Sequence, residues 1–235
     1  MSILILIGKV GSGKSASGNT ILGRIHFLSS HVYHKVVVVD MPGFGDTHLT
    51  KEQITTEVSQ CLALTAPGPH AFLLVVQVGR FTEVENLAVD MMADVFGEAA
   101  LRNHTVVLFT RGDDLEEPME QYLACAPARL EDLIRRCGGR YHVFNNRIID
   151  VNQVDELLSK VEKVMVDNGG KLYTKSKEKR DLRKVVGLRR AIHFFLLPIR
   201  FNGSQSPSLP DDHASSAEEN YSSFPRPTCN LRVWQ

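Results

Sequence analysis

The 235-residue chain carries no excess of either charge: 27 lysines and arginines balance 27 aspartates and glutamates. That balance gives no support to a general nucleic-acid-binding surface. Cysteine is scarce. Cys61, Cys125, Cys137 and Cys229 are widely spaced with no C-x-x-C pair, which points to free thiols in a reducing compartment, not to a disulfide or zinc framework. His31, His34 and His48 also lack metal-ligand spacing. The longest late apolar run, Ala191 to Ile199, holds a histidine and a proline and falls well short of the ~20 residues of a membrane-spanning helix. The N-terminal apolar run is brief and leads directly into a glycine-rich loop. It reads as a strand and not as a signal peptide, and the expected location is cytoplasmic. There are no internal repeats. The length suits one sizeable α/β domain with a small appendage.

What is present starts with Ile3 to Ile7, an unbroken apolar stretch of strong β preference. Gly8-Lys9-Val10-Gly11-Ser12-Gly13-Lys14-Ser15 follows and fits G-x-x-x-x-G-K-[ST] at every fixed position. Ala16 to Arg24 then reads as a helix. Strand, glycine-rich loop and helix together make this pattern a phosphate site. The glycines let successive N–H groups form a nest, and the helix N-terminus adds its positive end. Lys14 is expected at the β- and γ-phosphates, and the Ser15 hydroxyl on Mg²⁺.

Four further buried-type strands are expected: Lys35 to Asp40, Ala71 to Val76, Thr105 to Phe109, and Tyr141 to Phe144. Helical periodicity marks Leu49 to Thr65, Glu83 to Phe96, Glu116 to Ala124, Ala128 to Cys137 and Val151 to Val166. Alternating strands and helices, with strands apolar on both faces, predict an α/β fold: a mostly parallel sheet covered by helices on both sides. Residues 1–173 form the expected domain. Residues 174–198 read as a basic helical extension, and residues 199–235 as a disordered tail rich in Ser, Pro and Asn.

Ligands of such sheets lie beyond the carboxyl ends of the strands. The second strand ends in Asp40-Met41-Pro42-Gly43, a D-x-x-G element in which the aspartate holds Mg²⁺ and the glycine N–H meets the γ-phosphate. The fourth ends in Thr110-Arg111-Gly112-Asp113-Asp114. An aspartate here accepts from the N1–H and 2-amino group of guanine, which adenine cannot supply. Spacing alone leaves Asp113 and Asp114 as alternatives, and both acids are also suitable caps for the next helix. The fifth ends in Asn145-Asn146, where an amide or backbone N–H meets the guanine 6-oxo group; a plain Asn-rich turn is the competing reading.

With these residues the chain resembles the immunity-associated GTPases (GIMAP, also called IAN, with an AIG-type G domain). The matching stretches are Gly8 to Gly23, Asp40 to Thr47, Pro67 to Phe72 through Gly79-Arg80-Phe81-Thr82, Leu108 to Leu115, Arg140-Tyr141 with Phe144 to Asn146, and Asn168-Gly169-Gly170. The resemblance implies GTP or GDP with Mg²⁺ as ligands. It puts Asp114 in the guanine-specifying place, Asn145 beside the base, and Ser29 near the nucleotide. It also implies homo- or hetero-oligomers with related G domains. Ala16, Arg111, Gly112 and Asp113 complete the nucleotide-binding set. Arg80 is a candidate arginine finger in a dimer, or an ordinary surface arginine.

Two departures bear on hydrolysis. Phe44 follows Gly43, where Ras-like proteins place a water-orienting glutamine. The connector Ile25 to His34 is also short. A ~10-residue helix is ~15 Å long, and returning at ~3.3 Å per residue consumes that connector, leaving no antiparallel edge strand. No threonine occurs between Thr20 and Thr47, so the first switch lacks its Mg²⁺-binding residue. Nucleotide binding with slow or absent hydrolysis is the expectation; an oligomerising pseudo-GTPase and an unstable product of a shortened transcript are the alternatives. The basic run from Lys175, beside Phe194 to Leu197, is either a solvated helix or an interfacial membrane helix.

Overall fold

Each run of β-branched and large apolar residues becomes a strand of one sheet. The computed structural model describes residues 2–25, 36–41, 51–148 and 150–174. The strands are β1 (Ser2–Ile7), β2 (Val36–Asp40), β3 (Ala71–Gln77), β4 (Thr105–Thr110) and β5 (Tyr141–Val143). Their order is β2-β1-β3-β4-β5, and every neighbouring pair is parallel. The helices are α1 (Lys14–Ile25), α2 (Lys51–Leu64), α3 (Glu83–Phe96), α4 (Glu98–His104), α5 (Met119–Ala124), α6 (Ala128–Arg136) and α7 (Val151–Asp167). Among the described residues no strand runs antiparallel to β2.

Strand alternation divides the core in two. Ile5, Ile7, Phe72, Leu74, Val76, Val107 and Phe109 pack with Ile54, Val58, Met92, Phe96, Leu101 and Leu130 from α2, α3, α4 and α6. Leu4, Leu6, Leu73, Val75, Val106 and Leu108 pack with Ile21 of α1 and Val154, Leu157, Val161 and Val164 of α7. Each such side chain, fully buried, stabilises the fold by about 1.5–3 kcal/mol. Burial on both faces is the reason the strands read as continuous apolar runs.

Three local features depart from the expected pattern. Glu98–His104 is a seven-residue helix after Gly97, held by buried Ala100 and Leu101. The helix expected from Glu116 begins only at Met119, because a residue before proline, here Glu117, is disfavoured in helical geometry. Gly112–Asp114 forms one 3-10 turn, so Asp113 and Asp114 do not cap α5.

The two sheet edges differ. Met41 N–H donates to Leu6 O at 3.2 Å, so alternation turns the N–H and C=O groups of Val36, Val38 and Asp40 away from β1. No described residue pairs with that row. At the other edge β5 is only three residues long, and Lys160 Nζ donates to Tyr141 O at 2.8 Å.

After α7 the chain returns to the start of β3. Tyr173 packs its ring against Phe72, Phe96 and His104, with centroid separations of 5.0, 5.8 and 5.8 Å. Its hydroxyl donates to Phe96 O at 2.8 Å and its N–H to Pro69 O at 3.0 Å. Ser29, Gly43, Phe44, residues 26–34 of the short connector, and the expected extension and tail beyond residue 174 lie outside the described residues. No helix among the described residues is long and apolar enough to cross a membrane.

Candidate functional site

β1 lies between β2 and β3. The chain leaves β1 for one side of the sheet and later continues on the other. An open parallel sheet forms its ligand crevice at such a reversal, beyond the strands' carboxyl ends. The loop after β1 occupies that place.

Gly8 is pressed against β3: a Cβ there would lie 2.5 Å from Val75 O, and its φ is +151°. Gly13, at φ +97°, has room for a Cβ only 3.0 Å from Thr110 Cγ2. Between them Val10 and Gly11 stay exposed. The loop is braced from two sides. Thr110 Oγ1, at the end of β4, donates to Ser12 O at 2.7 Å. Lys9 Nζ pairs with Glu85 Oε1 at 3.2 Å, and Glu85 is in turn the capping-box acid of α3, accepting from Thr82 N at 2.8 Å. Burial alone would raise the Glu85 pKa, but hydrogen bonds from Thr82 and Lys9 outweigh it and hold the carboxyl below its ordinary value.

Lys14 crosses the loop on the inside. Its Nζ donates to Gly8 O at 3.0 Å and Lys9 O at 2.9 Å. Burial lowers its pKa, opposed by the Asp40 carboxylate. Ser17 N–H closes the first helical bond, to Gly13 O at 2.8 Å. The N–H groups of Lys14, Ser15 and Ala16 are therefore the orphan donors of the α1 terminus and form an anion site. Ser15 Oγ donates to Asp40 Oδ2 at 2.5 Å. Asp40 Oδ1 is buried without a hydrogen-bond partner. A hydroxyl and a carboxylate with an unsatisfied oxygen, beside an anion site, are hard oxygen donors of the kind that ligate Mg²⁺ together with phosphate. Ser12 Oγ is likewise buried and unpartnered.

The loops after β4 and β5 are stapled to each other. Arg111 adopts left-handed geometry, φ 59° and ψ 47°, an uncommon state for a residue with a side chain. That turn lays Gly112 against β5: its N–H donates to Phe144 O at 2.9 Å, and a Cβ would lie 2.7 Å from Val143 Cγ1. Asp113 pairs with Arg147 at 2.6 Å. Asp114 is 3.6 Å from Arg111 and its side chain is 41% exposed. Asn145 N–H donates to Gln153 Oε1 at 3.0 Å, so it is engaged within the protein. That removes one of the donors the sequence offered to the guanine 6-oxo group. The Asn146 side chain is also occupied, accepting from Thr20 Oγ1 at 2.7 Å and donating to Ser17 Oγ at 3.2 Å. The Asn145 amide nitrogen has no described partner.

Arg80 is exposed on the loop after β3, at the rim of a cleft of about 670 Å³ also lined by Arg111, Asp114, Leu115 and Tyr122. Gly79 N–H donates to the Tyr122 hydroxyl at 3.1 Å and fixes that rim. Among the described residues no group of three or more His, Cys, Asp or Glu is arranged to hold a metal. Cys61, Cys125 and Cys137 are free thiols.

The fold thus gathers residues 8–16, Asp40, Arg80, 111–114 and Asn145 at one end of the sheet. Ser29 and Gly43 lie outside the described residues. Sequence reasoning passed over Thr110, Glu85, Asn146 and Gln153 as supports. Only Glu85 had a local signal, the Thr82-x-x-Glu85 capping spacing.

The AIG1 family model matches residues 2–189. Immune-associated nucleotide-binding protein 9 of Arabidopsis thaliana is 37% identical over 196 residues, 73% of this chain and 57% of that protein. Immune-associated nucleotide-binding protein 10 of the same plant is 35% identical over 211 residues, covering 77% and 45%. GTPase IMAP family member 8 of Homo sapiens is 36% identical over 194 residues, covering 74% and 29%. The chain therefore spans less than two thirds of the length of each of these relatives. Among solved structures, a GTP-binding protein from Sulfolobus solfataricus in complex with GDP aligns with 71% of this chain and 53% of its own, at 14% identity and TM-score 0.47. A phosphate loop at the sheet's reversal, its acidic partner on β2 and a family match across most of the chain agree: this protein belongs to the AIG1 family.

Proposed function

We propose that this chain is a guanine-nucleotide-binding protein of the immunity-associated type that holds GTP or GDP with Mg²⁺ and hydrolyses GTP slowly or not at all. The observation that carries the reading is Lys14 arched inside the loop beside the Ser15–Asp40 pair, with one Asp40 oxygen left without a partner. The relatives' names add nucleotide binding and GTPase. On this reading Lys14 exchanges its carbonyl partners for the β- and γ-phosphates, and the orphan N–H groups of the loop and of α1 bind their oxygens. Ser15 and Asp40 hold Mg²⁺, which supplies charge neutralisation between those phosphates. Asp114, in the guanine-specifying place of the family pattern, accepts from the guanine N1–H and 2-amino group; its ion pair with Arg111 is long at 3.6 Å, whereas Asp113 is paired with Arg147 at 2.6 Å. Asn145 serves the 6-oxo group, and Ser29 and Gly43 complete the set by family pattern.

Slow hydrolysis follows from Phe44 in the water-orienting place and from a connector with no switch threonine. Fluorescent GDP and GTP should bind and compete poorly with ATP, and a single-turnover assay should give little phosphate. Release as fast as in a switch-complete relative would overturn the slow-hydrolysis reading. A second reading, a scaffold that acts only by assembling, draws on the short connector Ile25 to His34: without a paired strand Val36 to Val39 would lie at the sheet edge, and such an edge invites pairing with another chain. Hydrolysis that rises with protein concentration would instead favour assembly of an active dimer, with Arg80 as the contributed residue. The domain is residues 1–173, in the cytoplasm. The basic stretch 174–198 draws it to anionic membrane surfaces, which vesicle co-sedimentation with and without residues 175–200 tests.

A further inference from the structure

Gln153 lies in the first turn of α7, 8% exposed. Its side-chain amide meets both main-chain polar groups of Asn145. Asn145 N–H donates to Gln153 Oε1 at 3.0 Å, and Gln153 Nε2 donates to Asn145 O at 3.2 Å. Nε2 also reaches Ile148 O at 3.5 Å. A primary amide is the side-chain group that offers one donor and one acceptor to the main chain of a single residue in this way. Gln153 is itself fixed through its main chain, where His142 Nε2 on β5 contacts Gln153 O at 2.6 Å. The next residue, Asn146, is held by Ser17 and Thr20 of α1. The Asn145 side chain is oriented as well: its Oδ1 accepts from Arg147 N–H at 2.9 Å. With the oxygen engaged, the amide nitrogen is left as an oriented donor.

We propose that Gln153 is a positioning residue for base selection: by fixing the Asn145 peptide from α7, it presents the Asn145 side-chain amide as a rigid donor to the 6-oxo group of guanine. The proposal rests on the guanine-nucleotide reading of the site. A donor held in place discriminates strongly against a ligand that offers a poor acceptor there, and a mobile one does not. Removing the Gln153 amide takes these partners from the half-buried Asn145 N–H and C=O and frees the loop.

The probe pair is GDP against 6-thio-GDP, which differs only in the acceptor at C6, with IDP, which lacks only the 2-amino group, as the second comparison. Full-length Gln153→Leu should bind GDP about tenfold more weakly, the size expected from losing two hydrogen bonds. Its preference for GDP over 6-thio-GDP should collapse toward one, while its preference for GDP over IDP stays at the wild-type ratio. A general loosening of the fold would reduce both ratios together, and that result, or an unchanged 6-thio-GDP ratio, overturns the proposal. If the leucine variant does not fold, Gln153→Glu keeps the acceptor for Asn145 N–H and loses the donor to Asn145 O. Its 6-thio-GDP ratio should fall part-way, and a wild-type ratio overturns the proposal. Failure of the wild-type chain to bind GDP, or equal binding of ADP, overturns the guanine reading itself and this proposal with it. Wild-type GDP selectivity with an unresponsive Gln153 overturns this proposal alone.

Discussion

The phosphate half and the base half of the site are built by different means. The phosphate half is built chiefly from one continuous stretch, Gly8 to Ser17, shaped by bonds within itself: Lys14 to Gly8 and Lys9, Ser12 N–H to Lys9 O, Ser17 N–H to Gly13 O. The base half has no such continuity. Arg111 to Asp114 comes from β4, Asn145 to Arg147 from β5, and their positions depend on Ser17 and Thr20 of α1 and Gln153 of α7. A phosphate grip can therefore be carried by a local motif, whereas base selection depends on the whole domain being correctly assembled.

The sharpest way to break that comparison is Lys14→Ala. It removes the one cation inside the loop and should weaken GDP, GTP and XDP alike by at least about 100-fold, near 2.7 kcal/mol; calorimetric titration that finds any of them spared would contradict the assignment. Asp114→Asn should act on the base half only. GDP affinity should fall by about 100-fold while XDP, whose 2-oxo group meets the new amide donor, gains. Asp113→Asn should change the GDP/XDP ratio little, because that carboxylate is already paired with Arg147. A reversal of these two results would move the guanine contact to Asp113. Thr110→Val removes the bond from the end of β4 to the phosphate loop, Thr110 Oγ1 to Ser12 O, with little change in shape. The expected cost is about 1 kcal/mol in chemical denaturation, with a several-fold faster GDP release.

The smallest effect concerns pH. Burial, helped by Lys160, holds His142 below the ordinary histidine value, against the opposing Gln153 carbonyl and Glu156. His70 and His104 are lowered chiefly by burial too. The unfolded chain then takes up protons more readily than the folded one. Stability is complete above about pH 6.5, the unfolded histidine value, and declines as the pH falls below it. Thermal melts should give a lower Tm at pH 5.5 than at pH 7.5, and the base half, which His142 supports through Gln153, should lose GDP selectivity alongside.

The same division explains what could be read from the sequence. Ile3 to Ser15 was legible because strand, glycine spacing and lysine lie side by side in the chain. Asp40 was legible because it ends an all-valine strand. The parallel sheet followed from strands apolar on both faces. The roles of Gln153 and Asn146 were not legible, since a glutamine opening a helix and an asparagine in a turn look the same whether or not they hold a distant loop. The Asn145 N–H is taken by Gln153, a partner eight residues on that no local pattern marks. Helix α4 was hidden by its length, seven residues with only Ala100 and Leu101 inward, too few turns for periodicity to register.

Tyr173 has a consequence for how long the molecule lasts. It stands after Gly169 and Gly170, two adjacent glycines with φ of +63° and +71°, and yet its ring belongs to the aromatic cluster of Phe72 and Phe96. Losing the segment that carries Tyr173 would take a piece out of the interior. The opened cavity would cost about 3–5 kcal/mol, a large share of the ordinary 5–15 kcal/mol margin of a domain. The core of this domain is thus closed by a residue that the chain reaches only after the exposed Gly169–Gly170 step.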